Sequence, residues 1–290
     1  MRIVFMGTPD FARAHLQALL DLPEHKVVGV FTQPDRASGR GMKPIPSPVK
    51  ALAKEYNLPI YQPSKMRDGA AVYHLRELHS DLVVVVAYGR ILPKEMLDIP
   101  PLGCINVHAS LLPKLRGAAP IQWAIANGLE RTGVTTMKMA EECDAGDVYF
   151  SESIPIGKDE YASSLHDRLR DLGASLLVKT VAAIADGSAV AVPQDHSKAT
   201  YAPILKKEDG YLDLSRPAVE LERLVRAMNP WPGTRRVAGD NGAHGAQDED
   251  LIVHKARVGD DGSFELLEVQ APGKKRMTAE EYYRGNKGGR

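Results

Sequence analysis

An amide and an imidazole stand two residues apart at the end of an apolar segment: Asn106 and His108, within the run Gly103-Cys104-Ile105-Asn106-Val107-His108-Ala109-Ser110-Leu111-Leu112-Pro113. In an extended chain residues i and i+2 share a face, so the two side chains point the same way. An amide N–H and an imidazole aimed at one point can stabilise an oxyanion, which acyl or formyl transfer to an amine requires. Taken alone, the pair reads equally well as the polar end of a strand with its histidine satisfied in the core.

A second polar constellation changes that balance. From Thr132 a short alternating strand runs to Met139 and leads into an acidic, glycine-bearing turn, Glu141-Glu142-Cys143-Asp144-Ala145-Gly146-Asp147. Asn106, His108 and Asp144 together resemble the trio of the folate-dependent N-formyltransferases, in which the strand motif N-x-H-x-S-L-L-P, present here, and the loop motif D-x-G-x-D carry the chemistry; the match is positional for all three groups. The N-terminal third narrows the resemblance. The stretch from Gln33 to Ala53, with Arg36, Arg40, Lys43 and Lys50 among Gly39, Gly41, Pro44, Pro46 and Pro48, looks like the basic loop that methionyl-tRNA formyltransferases insert into the acceptor stem. Relatives acting on sugar nucleotides or purine precursors share the trio and lack this loop. With the opening Met6-Gly7-Thr8-Pro9-Asp10-Phe11-Ala12, the resemblance runs from residue 1 to about 235.

The resemblance implies 10-formyltetrahydrofolate as donor and, as acceptor, the α-amino group of methionine on initiator tRNA, with no metal. Asn106 and His108 would stabilise the oxyanion, donors of this kind being worth about 10²–10³ in rate. Asp144 would orient His108 and help manage the amine proton; which of the two is the formal base stays open at this level. Ser110, Leu111, Leu112 and Pro113 resemble the folate-contacting segment, with Tyr88, Gly89, Ile91 and Leu92 as a second wall. Plain core packing is the competing reading for the leucines. The implied tRNA contacts are Arg36, Arg40, Lys43 and Lys50 in the loop, and Lys206 and Lys207 beyond it. Arg116 either faces the acceptor end or caps its turn.

The chain also departs from the family. Leu115 stands where an aromatic residue is common, and Ala140, Glu142, Cys143 and Ala145 replace the residues more usual around Asp144, so altered donor affinity is expected rather than a lost reaction. Near the C-terminus only Gly259 to Ser263 joins the segments Lys255–Val258 and Glu265–Val269, where relatives carry a further strand pair. Gly239 to Asp250 is polar where strand character would be expected. An abbreviated barrel follows from these two features.

Composition agrees with an ordinary globular protein. The 290 residues are 43% hydrophobic, enough for one large α/β domain and a smaller one. No apolar run approaches the roughly 20 residues that span a bilayer, and the chain opens as a strand rather than an export signal, so a cytoplasmic protein without a membrane partner is expected, as a monomer. The two cysteines, Cys104 and Cys143, lack metal-ligand spacing, and Cys143 reads as a small buried residue rather than a nucleophile. Basic and acidic residues both number 37, yet Pro34 to Lys54 carries five basic residues against Asp35 alone. Overall neutrality with a focused basic patch suits one defined RNA end.

The elements that must position these groups follow from periodicity. Arg2 to Met6, Gly7, and Phe11 to Leu20 read as strand, glycine turn and helix; Lys26 to Thr32 gives a second strand, and the valine run Asp81 to Ala87 a third, buried on both faces. The alternation predicts a doubly wound, mostly parallel, Rossmann-like α/β sheet. Residues 160 to 186 read as a long helix stopping at Gly187, followed by a proline-containing linker. The short apolar runs Leu251–Val258 and Phe264–Val269 predict a small β-barrel, which the resemblance makes OB-like. The expected domains are therefore 1–190 (catalytic), 191–209 (linker) and 210–290 (tRNA-binding). Two readings of other classes compete: a nucleotide-dependent oxidoreductase, which the absence of G-x-G-x-x-G after the first strand opposes, and a non-catalytic RNA-binding module, which leaves the polar trio unexplained.

Overall fold

Strand-forming residues that are apolar on both faces need cover on both sides, and the valine run obtains it. The computed structural model describes residues 1–38, 43–67, 69–236 and 250–286, and in it every residue of Leu82–Val86 is buried. The chain divides into two compact units whose segments alternate in sequence. Met1–Arg116, Gly133–Ile154 and His166–Tyr201 form the first; Gly117–Thr132, Pro155–Leu165 and Ala202–Arg290 form the second. Segments 117–132 and 155–165, which the sequence groups with the catalytic part, thus cluster with the C-terminal unit.

The first unit opens with strand β1 (Arg2–Gly7), buried from Ile3 to Met6. A Cβ on Gly7 would lie 2.7 Å from the Ala12 Cβ and 2.9 Å from the Val86 carbonyl oxygen, so the turn into the next helix requires glycine. Helix α1 (Asp10–Leu20) buries Phe11, Ala12, His15, Leu16 and Leu19 along one stripe. Strand β2 (Lys26–Phe31) follows, then the short hairpin β3 (Arg36–Ser38) and β4 (Lys43–Ile45). Helix α2 (Pro48–Glu55) starts where the Ser47 hydroxyl accepts the Lys50 N–H at 3.0 Å and Pro48 fills the first turn. Strand β5 (Ile60–Tyr61), helix α3 (Ala70–Glu77), strand β6 (Leu82–Val86), the one-turn helix α4 (Lys94–Leu97) and strand β7 (Cys104–His108) complete this stretch.

Beyond the short strand β8 (Arg116–Gly117) and helix α5 (Pro120–Ala126), strands β9 (Arg131–Lys138) and β10 (Val148–Pro155) extend the sheet, and helix α6 (Ala162–Ala185) follows. The sheet order is β10-β9-β7-β6-β1-β2-β5. Strand β1 pairs in parallel with β2 and β6, and β6 with β7, whereas β7 and β9 are antiparallel. The sheet is therefore mixed. The chain runs outward from β1 to β2 and returns to β6 on the other side, and ligands of such sheets lie past the carboxyl ends of the strands at that reversal. Gly7 and Val86 end their strands there, with His108 on the next strand.

The expected alternation in β9 is not observed: Thr132 to Met137 are all buried. The threonines that read as solvent-facing are satisfied internally. Thr135 Oγ1 donates to the Ser110 carbonyl at 2.7 Å, and Thr136 Oγ1 meets Thr180 Oγ1 at 2.8 Å.

The second unit holds helix α7 (Ala218–Met228), strands β12 (Thr234–Arg236), β13 (Leu251–Val258), β14 (Phe264–Gln270) and β15 (Met277–Thr278), and helix α8 (Ala279–Asn286); strand β11 (Tyr201–Ala202) precedes them. The strands form an antiparallel sheet in the order β12-β13-β14-β15. Reading this region as strands alone misses α7, whose Leu221, Leu224, Val225 and Met228 recur at helical spacing and are buried as it packs on α5 and β13. The polar stretch Gly239 to Asp250 lies, apart from Asp250, outside the described residues. Among the described residues no helix is long and apolar enough to cross a membrane.

Candidate active site

Strand β7 ends with Asn106 and His108 on one face, as period two demands. His108 is buried and its Nε2 lies 2.8 Å from the Leu115 carbonyl oxygen. A carbonyl can only accept, so Nε2 carries the proton and a neutral ring presents its lone pair at Nδ1. Nδ1 faces Asp144 Oδ2 at 3.7 Å, and Asn106 Nδ2 donates to Asp144 Oδ1 at 3.4 Å. The three groups singled out in sequence therefore converge on one place.

The loop that delivers Asp144 is tightly constrained. Asp144 has φ 52°, in the left-handed region that aspartate tolerates better than most residues. A Cβ on Gly146 would lie 1.8 Å from the Lys138 carbonyl oxygen, so the loop can press onto the end of β9 only with glycine there. Cys143 is exposed, not buried as expected. Its thiol, partly desolvated and donating to Asp144 Oδ2 at 3.4 Å, is pushed up to about 11, the opposite of what a nucleophile needs. Cys104 is buried, and burial pushes its thiol up to about 12.

Two participants, Gln194 and Thr200, escape sequence reading, and Arg116 is found as their buried partner. Arg116 is 2% exposed, and its Nε and Nη2 donate to Gln194 Oε1 at 3.2 and 2.8 Å. Gln194 Nε2 in turn donates to the carbonyls of Asp144 and Gly146 at 2.9 and 2.7 Å. Thr200 Oγ1 accepts the Leu115 N–H at 2.9 Å. The segment read as the start of a linker is thus bonded to the site, because its buried amide satisfies a buried guanidinium and two loop carbonyls. A single glutamine between Pro193 and Asp195 carries no sequence signal of such contacts, which span 50 residues in the case of Asp144.

The residues expected around the donor divide into two groups. Ser110 is buried and donates to the Lys114 carbonyl at 2.6 Å, while Leu111, Leu112 and Pro113 are half-buried. Tyr88 and Leu92 belong to the hydrophobic core with Met6, Val85 and Met96. The Tyr88 hydroxyl donates to Met66 Sδ at 3.4 Å, and burial pushes it up to about 12, so its ring is not a pocket wall. What Tyr88 offers is backbone, its carbonyl held by Thr8 Oγ1 at 3.2 Å and by Gln33 Nε2 at 2.9 Å. Gly89 and Ile91 are exposed.

Of the basic residues expected to meet RNA, Arg40 lies outside the described residues, and Arg36 and Lys43 are placed by the hairpin pairs Arg36–Ile45 and Ser38–Lys43. Lys50 is occupied internally. Its Nζ lies 2.5 Å from Asp35 Oδ2 and 2.7 Å from Gln62 Oε1, and hydrogen bonds from Lys50 and Gln62 hold the Asp35 carboxyl below the usual carboxylate range. Lys206 and Lys207 are exposed at the start of a tight turn. Among the described residues no group of His, Cys, Asp and Glu could hold a metal ion.

Residues 1–181 match the family model described as formyl transferase, and residues 204–260 the model of the formyl transferase C-terminal domain. The chain is 47% identical over 300 residues to a methionyl-tRNA formyltransferase of Citrifermentans bemidjiense, covering 99% of this chain and 94% of the relative. It is 51% identical over 232 residues to a methionyl-tRNA formyltransferase of Alkaliphilus oremlandii, covering 80% and 74% respectively. Among solved structures, the sugar 3N-formyl transferase WlaRD superposes with a TM-score of 0.66 at 17% identity, covering 95% of this chain and 99% of that one. A sugar N-formyltransferase from Shewanella gives 0.63 at 20% identity, with 95% and 99% covered. At such identities these two structures speak to the fold alone.

Proposed function

The chain belongs to the methionyl-tRNA formyltransferase family, and on that premise we propose how its residues divide the work of moving a formyl group from 10-formyltetrahydrofolate to the α-amino group of methionine on initiator tRNA. Family membership sets aside the oxidoreductase and the non-catalytic RNA-module readings.

The folate substrate supplies an electrophilic formyl carbon; the remaining work falls to this chain's side chains. Asn106 keeps one amide N–H on Asp144 and has a second for the oxyanion that develops as the amine adds. His108 Nδ1 takes the amine proton, since Nε2–H is committed to the Leu115 carbonyl. The resulting imidazolium faces the Asp144 carboxylate, and Nδ1 returns the proton to the departing folate nitrogen as its bond to the formyl carbon breaks. The base is therefore His108, with Asp144 its electrostatic partner. The observation that carries this assignment is the 2.8 Å bond from His108 Nε2 to Leu115. Replacing His108 with Ala should lower kcat for formylation of methionyl-tRNA by about 10² or more while folate binding persists; turnover near wild type would overturn the assignment.

For the substrates, Ser110 to Pro113 with Gly89 and Ile91 form the donor-contacting surface, using half-buried apolar side chains and main-chain polar groups in the manner of a cofactor pocket. Arg36, Arg40 and Lys43 of the basic stretch meet the acceptor stem, and Lys206 and Lys207 add phosphate contacts. Residues 1–190 carry the chemistry. Residues 210–290 form a shortened OB-like RNA-binding domain of which β12 to β15 are the sheet. The protein acts as a cytoplasmic monomer.

A further inference from the structure

Both members of the His108–Asp144 pair are held, through different bonds, by the same short segment of chain. Gln194 is buried, and its amide makes four hydrogen bonds: Oε1 accepts from Arg116 Nε and Nη2 at 3.2 and 2.8 Å, and Nε2 donates to the Asp144 and Gly146 carbonyls at 2.9 and 2.7 Å. A guanidinium only donates and carbonyls only accept, so the amide has one orientation. The two donated bonds bracket Ala145 and keep Asp144 at φ 52°, a backbone state that side-chain-bearing residues seldom adopt unless their surroundings impose it.

Six residues on, Thr200 holds the other partner. Its Oγ1 accepts the Leu115 N–H at 2.9 Å, its carbonyl accepts the Arg116 N–H at 2.8 Å, and its own N–H donates to the Pro113 carbonyl at 3.3 Å. Leu115, itself at φ 57°, thereby presents its carbonyl to His108 Nε2 at 2.8 Å. That contact decides which ring nitrogen carries the proton.

Arg116 strengthens the case. Its guanidinium is buried, yet the carboxylate facing it, Glu142 Oε1, is 3.9 Å away on a side chain 68% exposed. Burying a cation largely against neutral acceptors is a poor way to stabilise a fold. It is an effective way to orient one amide.

We propose that Gln194 and Thr200 are positioning residues for formyl transfer, Gln194 setting the Asp144 carboxylate and Thr200 setting the tautomer and orientation of His108. The inference rests on reading that pair as the proton-handling centre. Small displacements at such a centre are costly, an ångström being worth up to about 10² in rate.

The test compares Gln194→Glu, Thr200→Val and Thr200→Ser in the full chain. Gln194→Glu keeps shape and the contact with Arg116 while removing both donors to the Asp144 loop. It should lower kcat about 10- to 100-fold, with KM for folate and for methionyl-tRNA within about twofold and melting temperature retained. In an Asp144→Asn background the same change should cost less than about twofold more, because its effect runs through Asp144. Thr200→Val should lower kcat about tenfold and Thr200→Ser should restore it. Nitrogen-15 shifts of the His108 ring should report the Nε2–H form in wild type and Thr200→Ser, and a mixture of tautomers in Thr200→Val. Wild-type kcat in Gln194→Glu, equal losses in both backgrounds, or an unchanged ring in Thr200→Val would overturn the proposal. An inactive wild type would overturn the functional reading instead, and the ring shifts would still decide the role of Thr200.

Discussion

At the scale of single residues, environment rather than residue type decides what each histidine can do. His108 offers Nδ1 to a carboxylate because a main-chain carbonyl holds Nε2. His15 is its counterpart in the core. Its Nδ1 lies 2.7 Å from the Phe11 carbonyl, Nε2 is buried without a partner among the described residues, and burial lowers its pKa to about 4. The folded pKa lies below the unfolded value of 6.5, so the unfolded chain binds more protons in acid; stability is complete above pH 6.5 and falls as pH drops toward 4. The slope reaches at most about 1.4 kcal/mol per pH unit. Urea midpoints measured from pH 7 to 4 should fall for wild type and fall less steeply for His15→Leu; parallel profiles would contradict this account. Asn106 and His108 were legible because a strand's period is two and they sit in an N-x-H-x-S-L-L-P run, and Asp144 because its glycine turn carries a motif. Gln194, Thr200 and the Leu115 carbonyl were not. A backbone carbonyl has no letter in a sequence, and contacts across 50 to 85 residues leave no local pattern.

At the scale of elements, two turns admit only glycine at a close approach, and one hairpin carries the proposed RNA contacts. The Gly7 turn admits no side chain, since its Cβ would approach backbone at Val86 as well as Ala12. Gly7→Ala should destabilise the fold by about 1–3 kcal/mol, read as a lower denaturant midpoint; an unchanged midpoint would contradict the close packing inferred there. For the hairpin, Lys50 is bound to Asp35 and Gln62, and we infer that its charge serves the hairpin base rather than a phosphate. Replacing Arg40 and Lys43 with Ala should weaken tRNA binding and reduce the slope of log Kd against log salt by about 1–2, each lost phosphate contact removing counterion release. Lys50→Met should leave that slope unchanged. A flattened slope in Lys50→Met alone would restore Lys50 as a phosphate contact. The strand–turn–helix opening and the long helix were readable from helical spacing and the glycine punctuation, and the valine strand from a continuous apolar run. The internal bonding of β9 was not, because buried and solvated threonines are spelled alike.

At the scale of the whole molecule, sequence order and compact units do not coincide, since 117–132 and 155–165 cluster with the C-terminal unit although they lie inside the catalytic stretch. Composition alone says nothing of this, and balanced charge conceals a basic loop that only the local count reveals. The C-terminal sheet was legible as two apolar runs joined by a glycine turn, whereas α7 was overlooked despite its helical spacing. The central claim is that this chain formylates the amine of methionine attached to tRNA. The most direct measurement supplies the purified chain with 10-formyltetrahydrofolate and follows formyl transfer to methionyl-tRNA, to uncharged tRNA and to an amino-sugar nucleotide side by side. The account predicts transfer to methionyl-tRNA alone, and preferential formylation of the amino-sugar would contradict it.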